Sequence, residues 1–401
     1  MIPLRRTLLA AVVLLTPLTT TGHAAPTRGC AASVPYASGE GGYDTYRIPA
    51  ALTTPRGTVL AFAEGRHDGA GDTGNIDVVL RRSTDGGCTW GPPTVVAAGD
   101  GDTRGNPAPV VYPGTGAIVL VTCSNGGAVT EAQIMRGEVT PEQGRRVFVQ
   151  HSWDDGHSFT PPHDITDQVK PPHWRWYATG PGHAVALTRG PHAGRLVIPA
   201  NHSTAPPPGS ADTGQEPRYY GGHVLYSDDG GGTWQLGLVD SSYDGLTNAN
   251  ESSAAQLPDG RLYVSSRDQH GTVPGNRLDA YSGDGGASLE GPYAVQPTLN
   301  DVPVVQGSVL QLPGPNAPLL FSGPSVPTAR RAMALWRSDD GGRTFTKALT
   351  LSDRPAAYSD LAAVDRDTLG VLYETGTTGP YASIEFRRVP VGVLRGQPPM
   401  V

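Results

Sequence analysis

Five times along this chain of 401 residues, Ser, Asp, Gly and an aromatic residue return at one fixed spacing. The pattern is complete at Ser83, Asp85, Gly87, Thr89, Trp90 and again at Ser227, Asp229, Gly231, Thr233, Trp234. Close copies are Ser152, Asp154, Gly156, Ser158, Phe159 and Ser338, Asp340, Gly342, Thr344, Phe345. A degraded copy, Ser282, Asp284, Gly286, Ser288, has Leu289 at the aromatic position. Successive serines are 69, 75, 55 and 56 residues apart. A motif recurring at such intervals marks one supersecondary unit per interval. Asp and Gly suit a tight turn in which the carboxylate accepts from nearby backbone N–H groups. The aromatic residue anchors that turn by burying a large apolar surface. The five aspartates therefore read as structural.

Along the chain recur short apolar runs such as Thr58–Ala63, Ala117–Val121 and Arg195–Pro199, bounded by Gly, Pro or Asp. That is the signature of an all-β chain, and it explains how 53 glycines and 38 prolines fit an ordered protein. No long segment carries a helical apolar period. Four-stranded units of this length over about 375 residues predict a six-bladed β-propeller in one domain. The Pro/Gly-rich stretch 204–222 is expected to be a long loop inside a blade.

The first residues read as a leader. Arg5 and Arg6 precede an apolar run from Thr7 to Leu18, and Gly22-His23-Ala24 offers a small-residue cleavage site. The expected organisation is a signal peptide over 1–24, a single domain over 25–401, and a secreted product. The arginine pair also permits twin-arginine export. No stretch is long enough to span a bilayer. The formal net charge of −7 makes a poor non-specific nucleic-acid binder. Of the three cysteines, Cys30 lies just upstream of the first strand and Cys88 in the first repeated turn. A Cys30–Cys88 disulfide would tie down the N-terminus, leaving Cys123 free. No Cys/His spacing resembles a zinc site, so neither metal nor cofactor is expected.

The repeated pattern resembles the Asp box of the sialidase superfamily. Tyr46-Arg47-Ile48-Pro49 resembles that family's Arg-Ile-Pro segment. Ala61-Phe62-Ala63-Glu64-Gly65-Arg66, then Asp72, then the first box follow in the family's order. The likeness runs through Trp176–Gly182 and Leu196–His202 to Leu372-Tyr373-Glu374, the whole chain after the leader. It implies an exo-α-sialidase that removes terminal sialic acid from oligosaccharides, glycoproteins or gangliosides, acting as a monomer. Sialic acid carries a carboxylate on its anomeric carbon, and guanidinium groups suit such an anion because they stay charged and fork onto both oxygens. The resemblance assigns that role to Arg47, Arg267 and Arg330, with Arg331 as the alternative third member. A carboxylate nucleophile would be repelled by the substrate's own carboxylate. The family uses a tyrosine, an exception already noted among glycosidases, and Tyr358 takes its position. Glu251 matches its base and Glu374 the acidic partner of the first arginine. Asp72 is the acid/base group, with Asp68 as alternative on the same Gly-rich loop. Glu64 and Arg66 are expected to contact the sugar's ring substituents. A trans-sialidase, or a dehydrating intramolecular trans-sialidase, would share these residues. A non-catalytic Asp-box glycan binder would lack one of Asp72, Glu251 and Tyr358, and a propeller glycosidase for neutral sugars would lack the arginines.

Overall fold

A computed structural model describes residues 30–270, 276–314 and 316–394. The expected signal peptide lies outside the described residues. Strands dominate, and among the described residues the α-helices are only Glu131–Arg136 and Thr166–Val169. None of the described helices is long and apolar enough to cross a membrane.

The strands form antiparallel sheets arranged as a β-propeller, each laid down from the inside outwards. One sheet runs Ala249–Gln256, Leu262–Asp268, Arg277–Ser282, Ala294–Val295. The next runs Ser308–Gln311, Leu319–Val326, Ala329–Ser338, Thr346–Thr350. Another runs Trp174–Thr179, Leu196–Thr204, Tyr220–Ser227, Gln235–Val239, with Val185–Ala186 added beside its second strand. The last runs Ala356–Ala363, Thr368–Thr375, Ser383–Pro390, and its outer place is taken by the first strand of the chain, Ala32–Ala37. That pairing sets Ala32 opposite Arg387 and closes the ring.

The expectation of six separate blades is corrected here. Four blades stand as separate sheets, and the strands between Thr45 and Asp164 form one continuous eight-stranded sheet. The fusion is a single parallel bridge between Ile76 and Thr103. It arises because the turn at Gly99–Asp102 is held against the strand Ile76–Ser83: Ile76 N donates to Asp102 O at 3.1 Å and Gly99 N to Asp77 Oδ1 at 2.7 Å. The stretch 204–222 departs from a simple loop, since Tyr220–Gly222 already belong to a strand.

All five repeated motifs make the same turn after the third strand of a unit. In the third copy along the chain, Asp229 accepts from Ser227 Oγ at 2.8 Å, Thr233 N at 2.9 Å and Thr233 Oγ1 at 2.8 Å. The serine hydroxyl also accepts from the glycine N–H, as Ser83 Oγ does from Gly87 at 2.8 Å. That glycine has positive φ in all five copies. It is also packed against the preceding unit: a Cβ on Gly342 would lie 2.6 Å from the Tyr263 ring, and on Gly87 2.1 Å from Phe386. The motif is therefore a turn and an inter-blade contact at once, which only glycine permits. Cys30 and Cys88 form a disulfide, and Cys123 is free and buried.

The axis is held by a buried carboxylate. Asp360, fully buried on Ala356–Ala363, accepts from Ala51 N at 2.8 Å, His183 N at 2.8 Å, His183 Nδ1 at 2.7 Å and Ser308 Oγ at 2.7 Å. These donors come from three other segments of the ring.

Asp229→Ala removes three hydrogen bonds from a turn none of whose residues lines the axial cavity. It should lower unfolding free energy by about 0.5–3 kcal/mol, measured by denaturant titration, with the properties of the folded fraction unchanged.

Candidate active site

Every inner strand except Ser308–Gln311 carries the same irregularity near its N-terminal end. Two residues on the inner strand face one on its neighbour between Arg47 and Ala50, Gly105 and Ala108, Trp174 and Tyr177, Ala249 and Ser252, and Ala356 and Ser359. Each is a single-residue β-bulge, which bends the strand and re-aims side chains. The bulged segments include Arg47, Asn106, Trp176, Asn250, Glu251 and Tyr358, all of which line one axial cavity of about 200 Å3. In two of them the backbone enters the left-handed region, at Ile48 (φ 59°) and Asn106 (φ 53°). For a β-branched residue this is strained. Ile48 is held there by its N–H, which donates to Glu374 Oε1 at 2.9 Å.

The cavity brings together Arg47, Glu64, Arg66, Asp72, Glu251, Arg267, Arg330 and Tyr358 from widely separated parts of the chain. Glu374 lies beneath it, fully buried. Its carboxylate accepts from Arg47 Nε at 3.1 Å, Ile48 N at 2.9 Å and Tyr358 N at 3.1 Å. It thereby fixes Arg47 and Tyr358 relative to each other.

Three guanidinium groups surround Tyr358. Those of Arg47 and Arg330 are 5.0 and 5.7 Å from the ring centroid. Arg267 Nη1 donates to the hydroxyl at 3.2 Å and to Glu251 Oε2 at 2.8 Å. The tyrosine hydroxyl in turn donates to Glu251 Oε1 at 2.6 Å. Burial, then the Glu251 carboxylate, push the Tyr358 hydroxyl well above the ordinary phenol range. Arg330 is oriented by Tyr381, whose hydroxyl accepts from Nη1 at 2.8 Å, and by Val304 O. Tyr381 also stacks on Arg47, 4.2 Å from its guanidinium carbon. Arg331 is exposed and donates to Asp353 O at 3.0 Å, away from the cavity.

Asp72 is at the rim, with 76% of its side chain accessible. It accepts from Arg66 Nη1 at 2.8 Å and Arg47 Nη1 at 3.4 Å. Desolvation opposes its charge, but Arg66 and then Arg47 prevail and hold its carboxyl below the usual range. Arg66 also donates to Ala70 O at 2.6 Å and Gly71 O at 2.8 Å, so it shapes the loop that presents Asp72. Asp68, on the same loop, is exposed and does not line the cavity. Glu64 pairs with Arg66 at 2.6 Å and accepts from Asn106 N at 2.8 Å. The polar atoms of Glu64 and Arg66 are thus engaged in building the pocket wall.

Sequence reasoning missed several residues of this wall. Glu131, the first residue of the helix Glu131–Arg136, lines both the axial cavity and an adjoining cleft with Trp176, Tyr220 and Gln215. Burial pushes its carboxyl up to about 6; Arg145 offsets part of this, and Asp72 and Glu251 add to it. Arg145 stacks under Trp176 at 4.1 Å and donates to Tyr177 O, Asn125 Oδ1 and Asn106 Oδ1. The signal available for Glu131 was Thr130 followed by Gln133, a capping box opening a helix.

Fold and pocket together define a repeat-built β-propeller with a tyrosine–carboxylate pair under three arginines at its axis. Residues 57–371 match the BNR repeat-like domain family. A sialidase of Micromonospora viridifaciens is 31% identical over 366 residues, covering 87% of this chain and 53% of that protein. An exo-alpha-sialidase of Aspergillus fumigatus is 30% identical over 380 residues, covering 86% of this chain and 84% of that one. The solved structure of the Hadza microbial sialidase Hz136 superposes with a TM-score of 0.77 at 26% identity, over 90% of this chain and 68% of that chain. The chain spans about half the length of the Micromonospora relative, 53%. It belongs to the sialidase superfamily of glycoside hydrolases.

The raised carboxyl in the wall gives a direct expectation. Glu131 should be protonated below about pH 6 and ionised above it. Carboxyl-carbon NMR should show this group titrating there, beside Asp279, which burial pushes up to about 7, and Glu131→Gln should remove the transition near 6 while leaving that of Asp279.

Proposed function

We propose that this protein is a retaining exo-α-sialidase acting on terminal α-linked sialic acid of glycoconjugates through a tyrosyl intermediate. The observation that carries the reading is the Tyr358 hydroxyl, 2.6 Å from Glu251 and ringed by Arg47, Arg267 and Arg330. Three fixed guanidinium groups suit a carboxylate on the reacting carbon. Those same charges would stabilise phenolate as it forms.

In the first step Glu251 takes the Tyr358 proton as the phenolic oxygen bonds to the anomeric carbon. The bond from that carbon to the aglycone oxygen breaks, and Asp72 gives this oxygen its proton. In the second step Asp72 removes a proton from water as the water oxygen attacks the same carbon. The tyrosine oxygen leaves and regains its proton from Glu251. A phenol raised far above neutrality needs a base in direct contact, and Glu251 meets that need. Asp72 is held ionised in the free protein by Arg66 and Arg47. A substrate carboxylate seated on Arg47 would weaken that hold and favour the protonated, donating form.

Counting the eight-stranded sheet as two blades joined at one bridge gives six blades. A Cys30–Cys88 disulfide fits the oxidising compartment that a leader over 1–24 implies, hence a secreted protein. All the groups named come from one chain, which fits action as a monomer.

Incubation with an α-linked sialoside should release free sialic acid; transfer to an acceptor or an anhydro product would overturn the hydrolytic reading. Asp72→Asn should lower kcat by about 10²–10⁴-fold on an alkyl-linked sialoside and far less on a nitrophenyl one, whose leaving group needs little protonation. Tyr358→Phe should suppress both substrates alike in steady-state assays.

A further inference from the structure

Beyond the axial pocket lies a second cavity, of about 340 Å3, between the end of the helix Glu131–Arg136 and the start of the strand Trp174–Thr179. Its charged lining is Arg145, Arg146, Lys170 and Arg175 against a single acid, the exposed Asp167. Arg146 is neutralised by Asp164, 2.7 Å from its Nε. The other three are not. Among the described residues, none of Arg145, Lys170 and Arg175 has a carboxylate within ion-pair distance. Lys170 Nζ donates to the Arg145 carbonyl at 2.9 Å, and Arg175 Nη1 to the carbonyls of Met135 at 2.6 Å and Thr213 at 3.2 Å. Arg145 donates only to a carbonyl and two amide oxygens.

Three half-buried or buried cations on neutral acceptors are unfavourable, because charges removed from water need opposite charge to compensate. It is the more unexpected in a chain of net charge −7. We propose that this cavity is a second, non-catalytic anion site, taking one carboxylate or phosphate group between Lys170 and Arg175 with the Arg145 charge behind it. Arg145 also lines the axial pocket and stacks under Trp176, so the two sites share a wall. The proposal does not depend on the sialidase reading. Burial, with Arg145 and Arg146 adding repulsion, lowers the Lys170 ammonium to about 8, leaving it poised to respond to an arriving anion.

The chain has only two lysines, Lys170 and Lys347, so lysine Nζ NMR of the whole protein resolves both. Lys347 is paired with Asp301 at 2.6 Å and serves as the internal control for folding and ionic strength. The protein is titrated with pH in three arms: sodium chloride, inorganic phosphate, and free sialic acid, at matched ionic strength. We expect the Lys170 pKa to rise by one unit or more in a ligand arm, a tenfold preference of the anion for the charged form, while Lys347 stays fixed. A rise with phosphate alone assigns a phosphate ligand, and one with sialic acid alone a sugar acid. Arg175→Met should remove the rise. Lys170 unmoved in both ligand arms, moving in step with Lys347, or still shifting in Arg175→Met would overturn the proposal.

Discussion

Two buried carboxylates, Asp360 and Glu374, hold the inner strands in the relation on which everything else depends. Asp360 gathers donors from Ala51, His183 and Ser308; Glu374 gathers them from Arg47, Ile48 and Tyr358. A propeller's blades pack through side chains, so nothing in strand pairing alone fixes one inner strand against the next. A fully buried carboxylate does so, because each oxygen must be satisfied by donors whose positions are then constrained. Removing one partner of such a group would leave charge buried without compensation. Asp360 acts deep in the ring, below the pocket, and Glu374 at its floor.

Above that frame, the bulges convert a generic propeller end into a chemical site. Each extra residue breaks the alternation of the inner strand just where Arg47, Asn106, Trp176, Glu251 and Tyr358 must turn towards the axis. The strain at Ile48 is sustained by the hydrogen bond from its N–H to Glu374. Electrostatically the pocket is organised in two layers. Carboxylates below and beside the arginines fix their geometry, while the face turned to the cavity keeps an excess of positive charge around Tyr358. Asp72 and Glu131 close the opposite side with acids of opposite tendency: the first is held ionised by arginines, the second pushed by burial towards its neutral form.

How far the sequence foretold this follows from the range of the interactions involved. The five turns were legible because each is a local device, complete within eight residues, with Ser83, Asp85 and Gly87 satisfying one another. The positions of Arg47, Arg267, Arg330, Glu251 and Tyr358 could be placed only by resemblance, since residues up to 311 positions apart, from Arg47 to Tyr358, meet at the axis. Arg330 and Arg331 differ by one place in a strand, and alternation sends one inward and the other to solvent. The eight-stranded sheet was not legible, because it rests on the one bridge at Ile76 and Thr103. Asp360 and Arg145 escaped because their roles lie wholly in long-range contacts, and at Glu131 the capping box of Thr130 and Gln133 marks a helix start but not the pocket that it faces. Nothing in Tyr358-Ser359-Asp360 distinguishes a hub carboxylate from any strand aspartate.

The central claim is that Tyr358 attacks the anomeric carbon. Double displacement through a covalent glycosyl-tyrosine inverts that carbon twice, so the sugar leaves with the configuration it had in the substrate. Time-resolved proton NMR of the first sialic acid released, recorded ahead of mutarotation, reads this directly. The account predicts the α anomer at first, with the β anomer growing in later. Initial release of the β anomer would contradict it and remove Tyr358 from its role as nucleophile.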